Sequence, residues 1–274
     1  MHADVSSANI VGFQYATVPY GWSTFTPTFK DVSKTAFDLL DITPCKTNDN
    51  SVLNVDGKVS IRKIDPDGNW LTAYHWYGAA GKGWVTKDVD PETGRETGTV
   101  TPVVEGQVKF TAGEGVALYN IYQTGSKTKT NHAVNMLVSG EVDLVCMNIV
   151  PYGWSVAGNS TPIKVDLYNV TVLATNNLEK LNVDGKVYLR KIDPDANFET
   201  AIHWYPKTST GCCWVRKEVD PETGKETGVI IPIVENEVVL NPGEGFAIND
   251  TYQTGSKTKT NHAVILQLPT PIEK

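Results

Sequence analysis

Two acidic turns carry the residues that come closest to a metal site in this sequence. Each turn places two aspartates and an asparagine at alternate positions around a proline. Carboxylate and amide oxygens are the hard ligands that calcium prefers, but the twelve-residue calcium loop with its terminal bidentate glutamate is missing. A β-turn needs the same residue types, with proline fixing one dihedral, and the pattern favours this plain turn. The candidate calcium ligands are Asp65, Asp67 and Asn69 in one turn and Asp193, Asp195 and Asn197 in the other.

Two copied lysine-rich segments are candidate contact surfaces. Residues 126–130 and 256–260 both read Ser-Lys-Thr-Lys-Thr, which alternates hydroxyl and ammonium groups. Lysines on a solvated edge strand discourage unwanted pairing, and the same cations suit docking against an acidic turn of a neighbouring subunit. Both alternatives stay open. The interface residues that the docking alternative predicts are Lys127, Lys129, Lys257 and Lys259.

A copied His-Trp-Tyr triplet is the third feature with chemical potential. A strand would place His75 and His203 on the face opposite Trp76 and Trp204. Exposed aromatic rings on a sheet can stack on sugar rings, so a lectin-like, carbohydrate-binding surface module is the alternative function. The pattern favours tryptophans that fill the core and histidines that lie at the surface.

No motif of an enzyme is recognisable. The sequence lacks G-x-S-x-G, H-E-x-x-H, a P-loop and G-x-G-x-x-G. His132 and His262 follow asparagine in a copied segment, with no nucleophile at a recognisable elbow. Glycoside hydrolysis needs only two carboxylates, whose separation in space a sequence does not give. We therefore predict that the protein is not an enzyme and has no cofactor, unless calcium binds the acidic turns.

An internal duplication must position all these residues, because the chain is one unit written twice. Residues 122–134 read YQTGSKTKTNHAV, and residues 252–264 repeat the same thirteen letters. Apolar positions exchange between the copies, as Val116 does for Phe246, while this polar segment stays fixed. Packing alone would let polar turns drift. Either the duplication is recent, or the polar surfaces do the same work in both halves.

The elements of each copy are predicted to be short β-strands. Residues 58–64 and 186–192 alternate apolar and polar side chains, and turn residues such as Asp-Gly and Asp-Pro recur between such runs. The sequence thus predicts an all-β chain of two tandem homologous antiparallel β-sandwich domains, jelly-roll-like, over residues 1–139 and 140–274. Ser139-Gly140 lies between two apolar strands and is interpreted as a tight turn, so the domains are predicted to be rigidly joined.

Composition and charge exclude several classes of partner. The 274 residues carry a formal net charge of -7, which argues against a nucleic-acid backbone as ligand. No window approaches eighteen apolar residues, so no membrane span is predicted. The cysteines have no cysteine counterparts in the other copy, and four cysteines allow three pairings that the sequence does not distinguish. They are Cys45, Cys146, Cys212 and Cys213.

Several short motifs resemble a group of secreted, β-rich proteins of Verrucomicrobia-type bacteria. The motifs are residues 7–13, the Pro-Tyr-Gly-Trp segments at 19–22 and 151–154, and residues 139–142 and 242–246. The resemblance implies export, with the leader absent from this chain, and an extracellular or cell-surface role. It carries over no catalytic or binding residue.

Together these features predict a non-enzymatic extracellular structural protein. Its partner is expected to be a second copy of itself, in a homo-oligomer or a filament formed through strand-edge contacts. The alternative is the carbohydrate-binding module, with a glycan as partner.

Overall fold

Antiparallel β-structure accounts for nearly all regular structure in the computed structural model, which describes residues 11–30, 36–111, 113–142, 147–207 and 213–269. No α-helix occurs in these ranges, and two 3₁₀ turns span Leu39–Asp41 and Leu167–Asn169. The first copy contains β1 (Val11–Val18), β2 (Gly21–Phe25), β3 (Phe29–Lys30), β4 (Ala36–Asp38), β5 (Ile42–Lys46), β6 (Asp56–Arg62), β7 (Tyr74–Tyr77), β8 (Gly83–Val89), β9 (Glu96–Pro102), β10 (Lys109–Thr111), β11 (Val116–Asn120), β12 (Gln123–Thr124), β13 (Thr130–Asn131) and β14 (Val134–Val142).

The second copy repeats this order of elements, except that no strand equivalent to β3 occurs among its described residues. It contains β15 (Met147–Val150), β16 (Gly153–Gly158), β17 (Val165–Asp166), β18 (Thr171–Ala174), β19 (Val187–Arg190), β20 (Ile202–Trp204), β21 (Trp214–Val219), β22 (Glu226–Pro232), β23 (Val239–Leu240), β24 (Gly245–Asp250), β25 (Gln253–Thr254), β26 (Thr260–Asn261) and β27 (Val264–Gln267). No helix among the described residues is long and apolar enough to cross a membrane.

Each repeat is built around a six-stranded antiparallel sheet. Its strand order is β2-β11-β6-β7-β8-β9 in the first repeat and β16-β24-β19-β20-β21-β22 in the second. A smaller sheet accompanies it, formed by β1, β14, β3 and β5 in the first repeat and by β15, β27 and β18 in the second. The predicted all-β class and antiparallel pairing are confirmed. The strand order differs from that of a jelly roll, because β6 to β9 form a meander that widens one sheet to six strands.

Two separate hydrophobic cores fill the molecule. One draws its residues only from positions 16–138 and the other only from positions 150–268. Each core takes side chains from both the six-stranded and the smaller sheet of its repeat. Trp76 and Trp204 are buried in these cores, as predicted, and each indole N–H donates to a backbone carbonyl, of Leu53 and Leu181 respectively. The amphipathic indole thus satisfies its polar atom inside the core.

The junction between the repeats differs from its prediction. Ser139 and Gly140 lie inside β14, where they pair with Phe13 and Gly12 of β1. The predicted tight turn at this dipeptide is therefore wrong. Glycine weakens a strand but does not end it when a neighbouring strand supplies the pairing. Residues 143–146, which lead to β15, lie outside the described ranges.

The repeats contact each other through several backbone hydrogen bonds, among them those from Thr26 to Gly243 and from Gly115 to Val156. Two equivalent bonds of this set form what we call the inter-repeat clamp. The N–H of Trp22 donates to the carbonyl of Pro194, and the N–H of Trp154 donates to the carbonyl of Pro66, both at 2.9 Å. The glycine before each tryptophan has a positive φ, and a Cβ there would overlap the proline carbonyl of the other repeat. The copied Pro-Tyr-Gly-Trp and Asp-Pro segments are therefore the two halves of one reciprocal contact.

Candidate functional site

The last strand of each six-stranded sheet is the most exposed strand of that sheet. Among the described residues β9 pairs only with β8, and β22 pairs only with β21. In both strands every residue is exposed except the fifth, which is half-buried. An exposed edge strand presents a row of unpaired backbone donors and acceptors to a neighbouring chain. We call β9 and β22 the edge strands.

The two edge strands differ in side-chain chemistry although their ends are identical. Both begin Glu-Thr-Gly and end in proline, but the residues between are Thr-Val-Thr in β9 and Val-Ile-Ile in β22. Val229 and Ile231 are 51% and 49% exposed. The second repeat therefore presents an apolar edge where the first presents a hydroxyl-rich one.

A cluster of four side chains, one from each of β6 to β9, lies beside the first edge strand. Glu96 begins β9, and its carboxylate lies 3.0 Å from His75 Nε2, 3.0 Å from Lys87 Nζ and 3.7 Å from an Arg62 guanidinium nitrogen. We call these four residues the tetrad. It connects the start of the edge strand to three other strands of the sheet, so it fixes where the edge begins.

The second repeat contains the same tetrad in a looser arrangement. Lys217 Nζ lies 2.7 Å from Glu226, but His203 Nε2 is 3.7 Å from that carboxylate. Burial, with the nearby Lys217 charge, lowers the pKa of His203 to about 4, so its imidazole is neutral at neutral pH. Burial also lowers the pKa of His75. Arg190 holds the position that Arg62 holds in the first repeat.

The tetrads correct the prediction that the histidines lie at the surface. His75 and His203 are each only 7% exposed. They do point away from the tryptophan core, but the neighbouring arginine, lysine and glutamate cover them. Sequence reasoning missed the tetrad because its members come from four strands. The signal that was available is that all four residues are identical in the two copies.

Each six-stranded sheet also carries an aromatic cluster on its outer side. Trp22 stacks on Tyr119 at 4.7 Å and on Trp70 at 5.9 Å between ring centroids. In the second repeat Trp154 contacts Phe198 at 5.7 Å and Tyr188 at 5.6 Å. The outermost rings, Trp70 and Phe198, are 38% and 41% exposed.

The tyrosine of each cluster comes from a different strand in the two repeats. Tyr119 of β11 pairs with Ser60 of β6, whereas the equivalent cross-strand pair is Asn249 of β24 with Tyr188 of β19. An aromatic ring next to the tryptophan is thus retained although its position in the sequence has moved. Cross-strand neighbours on one face of a sheet can exchange in this way because their side chains occupy adjacent space.

Two clefts lie in equivalent places between the repeats, with volumes of about 720 and 540 Å³. An ion pair borders each of them, Lys191–Glu244 at 2.6 Å in the larger and Lys63–Glu114 at 2.5 Å in the smaller. These volumes are typical of small-molecule sites, but the charged groups that the clefts share are already paired with each other. The walls also differ, because three polar positions of the larger cleft are apolar in the smaller. These pairs are Tyr15 and Met147, Thr17 and Ile149, and Thr24 and Val156.

The predicted calcium ligands lie in exposed turns whose aspartates serve the backbone. Asp65 Oδ1 accepts the backbone N–H groups of Asp67 and Asn69 at 3.0 and 2.8 Å, and Asp65 Oδ2 accepts the Asn69 amide at 3.1 Å. The bonds from Asn69 hold the pKa of Asp65 below its usual value. The second turn has the same three bonds, from Asp195 and Asn197 to Asp193. No group of three or more histidine, cysteine or acidic residues suited to a metal ion occurs within the described ranges.

The lysine-rich segments form hairpin tips and not edge strands. The tips, residues 125–129 and 255–259, join β12 to β13 and β25 to β26, and we call them the lysine loops. Polar neighbours in the copied segment bond within the hairpin, as Gln123 does to Asn131 at 2.7 Å and Thr124 to His132 at 2.7 Å. These bonds give a structural reason for part of the copied identity. The four lysines, which are all exposed, are Lys127, Lys129, Lys257 and Lys259.

The cysteines that the structure describes are free thiols. Cys45 and Cys213 are both buried, and burial raises the pKa of Cys45. Cys146 and Cys212 lie outside the described residues.

Comparisons of the chain with protein-family models, with curated proteins and with solved structures give no match. The resemblance to secreted β-rich bacterial proteins therefore stays a prediction, and function must be argued from the surfaces described above.

Proposed function

We propose that the protein is a non-enzymatic, extracellular structural protein whose copies associate through the edges of their six-stranded sheets. In this proposal each repeat is a β-sandwich, and the inter-repeat clamp joins the two rigidly. The extracellular location comes from the resemblance of the short motifs. The self-association comes from the edge strands.

The observation that carries the proposal is the exposure of β9 and β22. Soluble proteins usually protect an edge with lysine, proline, a β-bulge, an inward charge, a covering segment or a very short strand. A register shift near the start and a proline at the end leave the middle of each edge strand as its open part. Residues 97–101 and 227–231 contain no charged side chain, and both edge strands are seven residues long. The tetrads hold the start of each strand against its sheet, which keeps the edge ready for a partner. Preorganised edges of this kind suit strand addition.

Size-exclusion chromatography with light scattering, followed by negative-stain microscopy, tests the proposal. We expect a species larger than the monomer whose fraction grows with concentration. A strictly monodisperse monomer at high concentration, without ordered assemblies on the grid, would contradict it.

A second candidate function, carbohydrate binding, is favoured by the aromatic clusters. Trp70 and Phe198 occupy equivalent positions, and each presents an exposed ring beside a partly buried tryptophan. Sugars offer C–H faces that can lie against such rings. The platforms differ from those that the sequence suggested, since Trp76, Trp84, Trp204 and Trp214 are all buried.

A glycan array probed with the wild-type protein and the W70A/F198A double variant tests this second function. If sugars stack on these rings, the wild type binds defined glycans and the variant loses them. Absence of glycan binding by the wild type, or binding that survives the substitutions, would argue against these platforms.

A further inference from the structure

The free side of β22 has a defined pattern of backbone groups. The N–H of Ile233 donates to Trp214 of β21 at 3.0 Å. Backbone groups alternate between the two sides of a regular strand, and Ile231 and Ile230 pair with Arg216 and Lys217 in register, so Ile231 also directs its backbone toward β21. Ile230 therefore directs both N–H and C=O outward, and Pro232 directs only its C=O outward. Before Ile230 the register with β21 shifts, Gly228 has a positive φ, and the N–H of Val229 donates to Thr227 Oγ1 at 3.2 Å, so the regular part of this edge is residues 230–232. These three residues combine an open backbone with uncharged side chains.

We infer that two copies of this chain pair β22 with β22, antiparallel, about a two-fold axis at Ile230. This inference rests on the proposed self-association and specifies its contact and symmetry. A two-fold contact uses the same patch on both partners and closes on itself. It gives a discrete dimer with one continuous sheet of twelve strands, six from each copy.

The register follows from the axis. Each Ile230 exchanges two hydrogen bonds with Ile230 of the second copy, and each Pro232 carbonyl lies opposite Gly228 of the second copy. Val229 faces Ile231 of the second copy on one side of the sheet, so all four half-exposed β-branched side chains become paired.

Charge is compatible with the same register. The exposed Lys225 precedes β22 and the exposed Glu235 follows it, so antiparallel pairing brings the lysine end of each strand to the glutamate end of the other. No like charges oppose each other between these positions. Pairing is therefore not opposed locally, although each copy has a net charge of -7.

The first edge strand suits this contact less well. A β9–β9 pair in the equivalent register would set Thr99 against Thr101 of the second copy and bury little apolar surface. A β9–β22 pair would join threonines to Val229 and Ile231, and would build an open chain of molecules. Apolar burial therefore selects β22–β22, and a contact between two seven-residue strands is small enough to be weak and concentration-dependent.

Sedimentation equilibrium of matched lysine variants tests the inference. The V229K/I231K variant places lysine opposite lysine across the axis, and we expect its dimer dissociation constant to rise at least tenfold. The T99K/T101K variant makes the same charge change at the equivalent positions of β9, and we expect wild-type dimerisation. Circular dichroism melts check that both variants fold, as substitutions at exposed positions should allow.

A cysteine crosslink tests the axis independently. Directly opposed residues in a hydrogen-bonded pair have Cα atoms about 5.5 Å apart, within the range of a disulfide. We expect I230C to form a covalent dimer under mild oxidation, and V100C and the wild type to form none. Crosslinking of V100C equal to that of I230C would overturn the two-fold contact.

The outcomes separate this inference from the proposed function. Equal weakening by T99K/T101K and V229K/I231K would indicate a β9–β22 contact, which keeps the self-association and overturns the two-fold dimer. Association that is unchanged in both variants overturns the edge-strand contact. A wild type that is monomeric at every concentration overturns both.

Discussion

Asn120 and Asp250 occupy equivalent positions in the two repeats, and both are fully buried. The Asn120 amide donates to the carbonyls of Pro19 and His132 at 3.1 and 2.9 Å, and its oxygen accepts the N–H of Tyr122. Asp250 keeps only the last of these bonds, from Tyr252 at 2.8 Å. Its Oδ2 has no partner among the described residues. A carboxylate cannot donate to the carbonyls that an amide satisfies, so this position favours a protonated Asp250.

Asp250→Asn should stabilise the protein at alkaline pH and change little in acid. Burial raises the pKa of Asp250 to about 7, whereas an unfolded aspartate has a pKa of about 4. The folded state thus binds more protons than the unfolded state between these values, and stability falls as pH rises through this window. Above pH 7 the ionised, buried carboxylate of Asp250 lowers the free energy of unfolding by at most about 4 kcal/mol. Denaturant unfolding at pH 4 and pH 8 measures the difference.

Wild type and variant must be compared at the same pH, because His203 acts in the opposite direction. The pKa of His203 is lower in the folded state than in the unfolded state, so the unfolded state binds an extra proton between these values. The free energy of unfolding therefore decreases as pH falls from about 6.5 to about 4. The difference between wild type and Asp250→Asn cancels this effect. An equal gain in stability at both pH values would show that Asp250 is not protonated in the folded state.

Calcium removal should leave the melting curve unchanged. Both carboxylate oxygens of Asp65 and of Asp193 already accept hydrogen bonds within their own turns. A ligand that binds only the native state would add RT ln(1 + [L]/Kd), about 2.7 kcal/mol at a hundredfold excess over Kd. A melting temperature that falls in excess EDTA and recovers with calcium would restore the six turn residues as ligands.

Burial of the tryptophans was predictable from the sequence, whereas burial of the histidines was not. Alternation assigns Trp76 and His75 to opposite faces, and the structure confirms this. Alternation says nothing of what covers the outer face. The cover on His75 comes from Glu96, twenty-one residues later and two strands away, so only the three-dimensional pairing reveals it.

At the level of elements, the inter-repeat clamp gives the copied turns a structural role. Gly21 and Gly153 both combine a positive φ with close approach of a proline from the other repeat. Only glycine satisfies both conditions, because any Cβ would be strained by the backbone and would meet the carbonyl. This contact explains why Pro-Tyr-Gly-Trp and Asp-Pro-Asp recur together.

Gly153→Ala should destabilise the protein far more than Gly94→Ala. Both glycines have a positive φ, so alanine costs about 1 to 2 kcal/mol of backbone strain at either position. A Cβ at Gly94 meets nothing within 4 Å, whereas one at Gly153 overlaps Pro66. We expect a loss of more than about 3 kcal/mol for Gly153→Ala, in the range that strain and overpacking together reach.

Urea unfolding of the two variants measures the difference, with wild type alongside. If the two alanines cost the same, the clamp would contribute nothing beyond backbone strain.

The β-strands were largely predictable from alternation and turn residues, but the extended conformation of Ser139-Gly140 was not, since a dipeptide common in turns here lies inside β14. Pairing with β1 decides the conformation, and the sequence pattern does not contain that information.

For the whole molecule, the duplication predicts two copies of one architecture, and the two cores agree with it. How the copies face each other was beyond the sequence, because the two contacts of the clamp join residues that are 172 and 88 positions apart in the chain. The lysine loops are the part of the copied surface that the fold does not explain. Their glutamine, threonine, asparagine and histidine neighbours bond within the hairpin, but the lysines remain exposed. We propose that these lysines take part in association between molecules.

Replacing Lys127, Lys129, Lys257 and Lys259 with alanine should weaken self-association at least about threefold, because exposed ion pairs contribute about 0.2 to 1 kcal/mol each.

The four substitutions change the net charge from -7 to -11, that is -7 minus four, and the added repulsion alone could weaken self-association. A control variant therefore carries the same charge change at exposed lysines outside the loops. These are Lys58, Lys82, Lys186 and Lys207. Light scattering at low and high salt compares the two, since salt screens exposed pairs beyond about 8 Å at physiological strength. Equal weakening in both variants would reduce the lysine loops to solvated hairpin tips and leave a recent duplication as the reason for their identity.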